Sequence, residues 1–290
     1  MPARSVESAA LRRDVLTKSF RGVPLGLKLL GGSIGGASGS IFQMDIQDSP
    51  RFGEYFQIWP GASDNQIEVL SFDRALRQLV LRVQEPRRPF FEVVRRQPWH
   101  RREEIEARAR ASGGRILSES KDGWQLELWT PVEDRRYLCG MDDLHLFIAQ
   151  VRRGDTVAET HESLRPRAVA EAEAVWPGHI QRQGEWFFLP ISAAEAARID
   201  AHAAQWRRSV KRQASVGEGR RPHVAERVIT IVDRVKAGRR ERRVTRVYAR
   251  GRVAHSGHRD LYLDGWRRVV RNRELVEPVT LARGFRTWID

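Results

Sequence analysis

The sequence predicts an α+β protein: an antiparallel β-rich N-terminal domain, a short helical middle segment and a basic three-stranded antiparallel C-terminal module. Three observations carry that expectation. Short apolar or alternating runs separated by Gly, Pro, Asn and Asp dominate from Gly53 to about Val151. Capping boxes and prolines then punctuate a helical stretch between Thr156 and Lys211. Finally the charge changes, because residues 201–290 hold 23 Lys and Arg against 9 Asp and Glu, whereas residues 1–200 hold 28 of each.

At 290 residues the chain exceeds what one hydrophobic core comfortably serves. The expected divisions are a Gly-rich N-terminal segment (1–40), the β-rich domain with one helix (41–155), the helical segment with one buried strand (156–215) and the basic meander (216–290). Nine Trp within a 41% hydrophobic composition argue for a folded chain. Cys139 is the only cysteine, which excludes an intramolecular disulfide and any site with two thiolates from one chain. The first 20 residues lack the apolar core of a secretory signal, and no run approaches the ~20 apolar residues of a spanning helix. A cytoplasmic protein without membrane contact is expected.

Residues 22–40 are rich in Gly and Ser, but Lys28 precedes the glycines and Ser40 is followed by Ile41, so the order a P-loop requires is missing. An irregular or close-packed backbone segment is expected there. Strands follow at GEYFQIW, QIEVLSF, LRQLVLRV and FFEVV, then a helix from Arg101 to Ala111 closed by Gly113-Gly114. Asp122-Gly123 marks a hairpin between RILSES and WQLELW, and RRYLCG and LHLFIAQV extend the sheet. Thr156 and Glu159 open a helix that stops at Pro166, which starts a second one toward Trp176. EWFFLPI reads as a buried strand. Ser192 and Glu195 open a helix to Lys211, with Ile199, Ala203, Trp206 and Val210 on one stripe. Residues 213–223 read as a linker.

The basic module reads as strands Arg227 to Val235, Arg242 to His255 and Asp260 to Arg271. A three-residue loop, Gly257 to Arg259, sorts the side chains best. It pairs Val253 with Leu263 and His255 with Leu261, and continues that apolar side through Val247, Ala249 and Gly251. The other side shows Tyr248, Arg250, Arg252, Tyr262, Asp264, Trp266 and Arg268, with Arg250 opposite Trp266 and Arg252 opposite Asp264. Interleaved Arg and aromatic side chains suit single-stranded nucleic acid, the rings stacking on bases while guanidiniums hold phosphates. A solvated face with Arg250 over Trp266 and Arg252 paired to Asp264 is the plainer alternative. The candidate nucleic-acid contacts are Arg239, Arg240, Arg242, Arg243, Arg246, Tyr248, Arg250, Arg252, Tyr262, Trp266, Arg267, Arg268 and Arg271.

His255, His258 and Asp260 form the tightest cluster of candidate metal ligands or acid–base groups. A structural role is the plainer reading, because His255 falls on the apolar side and the rest of a nuclease site is missing. His100, His161, His179, His202 and His223 show no mutual spacing that demands a site. Cys139 and His145 lie six residues apart across a turn, where a core cysteine is the simpler reading. No residue pattern calls for a cofactor or a resident metal.

The sequence therefore points to a cytoplasmic binding protein for RNA or single-stranded nucleic acid, with a charge-balanced N-terminal region that meets a protein partner in an assembly. Two alternatives stay open: a metal-dependent phosphodiesterase using His255, His258 and Asp260, and a structural subunit docking an acidic protein.

Overall fold

The computed structural model describes residues 14–31, 41–51, 53–206, 209–216, 222–237 and 240–273. It is mostly antiparallel β-sheet with short helices. Among the described residues four sheets contain sixteen strands, of which one pair is parallel.

The N-terminal part packs two sheets face to face. One has the order β1 (Leu27–Leu29), β3 (Gly53–Trp59), β2 (Gln43–Ser49). The other runs β10 (His145–Val151), β9 (Glu133–Asp142), β5 (Gln78–Glu85), β4 (Gln66–Asp73). Residues 14–22, where no helix was expected, form helix α1. Its Leu16 and Phe20 join Phe56, Ile58, Leu79, Leu81 and Leu146 between the sheets. Within the Gly-rich stretch Gly26 is close-packed, since a Cβ there would lie 2.9 Å from the Cβ of Tyr55, whereas a Cβ at Gly22 or Gly31 would meet nothing within 4 Å. Its later part, 32–40, lies outside the described residues.

A separate small sheet has the order β6 (Pro89–Arg95), β8 (Gly123–Trp129), β7 (Arg115–Ser120). Helix α2 (Arg102–Ala111) covers it through Ile105 and Ala109, which pack on Trp124 and Leu126. The expected hairpin forms, one residue earlier than Asp122-Gly123 placed its turn: Lys121 and Asp122 make the loop, and Gly123, at φ 150°, already pairs with Ser120.

Cys139 is fully buried in β9, and burial pushes its thiol pKa far above the ordinary value. His145 faces away from it, with Nδ1 2.8 Å from Glu54 Oε1. Cys139 is expected to resist a thiol reagent such as DTNB in the native protein and to react fully in denaturant. Rapid native labelling would contradict this placement.

Helix α3 (Val157–Leu164) starts with the expected capping box at Thr156 and Glu159. Helix α4 (Arg167–Val175) follows Pro166. The C-terminal sheet is larger than expected. Six strands run in the order β11 (Gln181–Gln183), β12 (Trp186–Leu189), β16 (His258–Arg271), β15 (Arg240–His255), β14 (Val224–Ala237), β13 (Val210–Ser215). Segment 156–215 thus supplies both edge strands, and residue 216 falls within the sheet's own sequence span. Helix α5 (Ala193–Gln205) ends before the expected Lys211, because Val210–Ser215 pairs with β14 instead of continuing the helix.

One face of this sheet buries Phe188, Val216, Ala225, Val228, Ala249, Val253, Leu263 and Val269. The other receives α5, whose Ile199 packs with Ile229, Ile231, Tyr248 and Trp266. The β15–β16 register agrees with expectation at Val247↔Val269 and Ala249↔Arg267, then shifts by two, giving Gly251↔Leu263 and Val253↔Leu261. A second shift, of one residue between Val253 and His255, leaves only Ser256 and Gly257 in the turn, between the paired His255 and His258. Gly251, at φ 83°, absorbs the irregularity, and a Cβ there would lie 2.4 Å from a Glu226 carboxylate oxygen. The shift of two preserves the faces as far as Val253, so the predicted apolar side is correct there although the pairs are not.

Among the described residues no helix is long and apolar enough to cross a membrane.

Candidate functional site

The C-terminal sheet carries two features with chemical potential, a basic ribbon at one end and a histidine cluster at the other. Neither is the exposed aromatic platform that the sequence suggests. Tyr248 is fully buried and Trp266 is 6% exposed, both beneath α5. Tyr248 OH donates to Glu195 Oε1 at 2.6 Å, and Trp266 Nε1 donates to Asp200 Oδ1 at 2.8 Å. Burial, then the Glu195 carboxylate, pushes the Tyr248 pKa up to about 12, so the phenol stays a donor. These rings cannot stack on bases without displacing the helix. Tyr262 alone of the three remains exposed.

The arginines divide in the same way. Arg252 donates to Asp260 at 2.7 Å and stands opposite Tyr262, not Asp264. Arg250 lies 3.9 Å from Asp200 rather than over Trp266. Arg267 binds Asp264, Arg246 pairs with Asp233, and Arg271 lies over the Trp186 ring at 5.9 Å. Arg268 is half-buried opposite Tyr248. Arg242 and Arg243 are exposed, and among the described residues no carboxylate pairs with either. Arg239 lies outside the described residues, and Arg240 is described only as a strand position opposite Ala237.

Arg242 and Arg243 belong to a projecting arm. Strand β13 pairs with β14 no further than Ile229, and β16 pairs with β15 only from Val247 onward. Beyond those points β14 and β15 have only each other as strand partners among the described residues, up to Ala237↔Arg240. The root, with Ile231, still packs on α5, and the four residues from Arg234 to Ala237 extend roughly 14 Å beyond it at ~3.4 Å per residue. The arm's sequence, 231–246, contains seven Lys and Arg against Asp233 and Glu241. Asp233 anchors the root by accepting from Arg198 of α5 at 3.1 Å and pairing with Arg246. Farther out, Arg234 and Arg243 are cross-strand partners, and Arg234 is offset only in part by Glu241 at 3.9 Å. Like charges placed directly opposite repel, and an external anion would relieve the repulsion.

At the other end, His258 and His255 come together as expected, whereas Asp260 turns to Arg252. The third member is His223, which the sequence spacing did not flag. One nitrogen from each of His223, His255 and His258 lies within 4.8 Å of the others. Backbone pairing explains the meeting. Val224 pairs with Ala254, which sets His223 beside His255, and the tight turn sets His258 opposite His255. Strand β14 begins three residues before the Arg227 read from the sequence, which is why His223 appeared to lie in a linker.

The rings of His223 and His255 stack with centroids 4.3 Å apart, and His258 lies 4.9 Å from His255. All three are buried, with exposures of 2%, 9% and 6% for His223, His255 and His258. Burial, then the neighbouring imidazoles, pushes the His223 pKa down to about 3, so this ring is neutral. The Gly257 amide donates to His255 Nδ1 at 3.1 Å. His223 Nε2 and both ring nitrogens of His258 have no hydrogen-bond partner among the described residues. Each such buried orphan costs about 1–3 kcal/mol. His258 Nδ1 stands 3.6 Å from Asp143 Oδ2, on the β9–β10 turn. That turn also brings His145 against Gly257, where a Cβ would collide with the imidazole.

No protein-family model, no curated protein and no solved structure matches this chain.

Proposed function

We propose that the protein binds nucleic acid through the basic ribbon of β14 and β15. The observation that supports it is the projecting two-stranded arm with exposed Arg242 and Arg243, with which no carboxylate among the described residues pairs. A ribbon of this form fits the roughly 12 Å width of a duplex major groove, and its arginines would displace counterions from the phosphates. With Tyr248 and Trp266 under α5, base stacking loses its support, so the favoured ligand moves from single strands to a double helix.

Fluorescence anisotropy with duplex DNA, duplex RNA, single-stranded RNA and single-stranded DNA across a salt series tests this. Duplex binding is expected to be tightest and steeply salt-dependent. Arg242→Ala/Arg243→Ala is expected to weaken it and to reduce the slope of log K against log salt by about 2, roughly one unit per lost phosphate contact. Weak binding to all four, unchanged in the double variant, would reject the proposal and direct attention to an acidic protein surface as the arm's partner.

A further inference from the structure

We propose that His223, His255 and His258 form a binding site for a borderline divalent transition-metal ion of the zinc class. The inference is independent of the nucleic-acid reading, because it concerns the opposite end of the sheet. Three imidazoles without a thiolate or carboxylate among them suit zinc, cobalt, nickel or copper, whereas magnesium and calcium seek oxygen ligands. The nitrogens, all within 4.8 Å of one another, need a small contraction to reach the roughly 3.4 Å spacing of a tetrahedral ion with ~2.0–2.1 Å bonds.

Three further features fit an ion. First, His223 Nε2 and His258 Nε2 are buried without a hydrogen-bond partner among the described residues, as ligand nitrogens are before an ion arrives. Second, Gly184 in the β11–β12 turn adopts φ 57°, and a Cβ there would lie 2.9 Å from His258 Nε2 and 3.1 Å from His223 Nε2. The glycine keeps clear the space beside the two orphaned nitrogens. Third, Asp143 Oδ2 faces the other nitrogen of His258 at 3.6 Å. A carboxylate behind a ligating histidine fixes its tautomer and raises its basicity, so Asp143 is assigned as a positioning residue.

His255 requires one local adjustment. Its Nδ1 accepts the Gly257 amide, so in the metal-free protein the proton resides on Nε2. Ligation through Nε2 moves that proton to Nδ1, with no net proton released, and the Gly257 amide must turn away. Three protein nitrogens leave the fourth tetrahedral position for water or another donor.

The test uses untagged full-length protein, stripped with a chelator and dialysed against zinc, with metal measured by mass spectrometry. One zinc per chain is expected. Cobalt in its place should give the visible absorption of a tetrahedral site, and His223→Gln should abolish both signals. In case that variant does not fold, Asp143→Asn serves as the second, since Asn tolerates the left-handed backbone at this position (φ 54°). It is expected to retain the site with about 10- to 100-fold weaker zinc affinity. Wild-type protein that retains no zinc overturns the proposal, as does undiminished binding by folded His223→Gln or by Asp143→Asn.

Discussion

Trp266→Ala is expected to lower the unfolding free energy by about 3–5 kcal/mol, the range for emptying a buried aromatic site. The indole fills the layer between the six-stranded sheet and α5, against Ile199, Ile229, Ile231 and Tyr248. Its removal leaves a cavity and takes the donor away from Asp200. Trp266→Phe, which keeps most of the volume, should lose less. Urea unfolding of the two variants beside wild type measures this. A Trp266→Ala protein within 0.5 kcal/mol of wild type, about the size of an ordinary surface substitution, would mean that the ring is not core and would restore the stacking platform as a possibility.

Glu85→Ala is expected to cost a similar amount, about 3–5 kcal/mol, because it strands a positive charge in a poorly hydrated place. Glu85 is 6% exposed at the end of β5, where it pairs with Arg135 on β9. Its Oε1 also accepts the Phe42 amide at 2.6 Å and Asn65 Nδ2 at 3.4 Å. One carboxylate thus ties the start of β2 to the β5–β9 pair. Glu85→Gln preserves an acceptor for the Phe42 amide and should lose distinctly less. Equal losses for the two substitutions would show that the charge on Glu85 is unimportant.

Most strands and helices α2 to α5 were legible because each rests on local chemistry: alternation, a capping residue, a turn pair such as Asp122-Gly123. The assembly of strands into sheets was less so. Pairing β5 with both β4 and β9 depends on contacts far apart in sequence, and no local pattern specifies them. Helix α1 had no recognised cap, and its face is defined only by the sheets it covers. The error at Trp266 has a different origin. The two faces of the C-terminal meander were sorted correctly, but the stripe at Ile199 and Ala203 on α5 also required a partner, and the face with Tyr248 and Trp266 was the one available. For the histidines, His255 and His258 were close in sequence, while His223 reached them only through the extra residues of β14.

The ribbon of β14 and β15 has a consequence for how molecules of this protein meet one another. Two adjacent strands whose outer edges pair with no other described strand present free amides and carbonyls, the arrangement by which one chain adds to the sheet of another. Arg234, Arg242 and Arg243 lie along those strands, and the tip between Ala237 and Arg240 is basic in sequence as well. Two such arms approaching edge to edge would bring arginine against arginine. The charge suited to a polyanion therefore also guards the arm against its own copies, and neutralising it would remove both properties together.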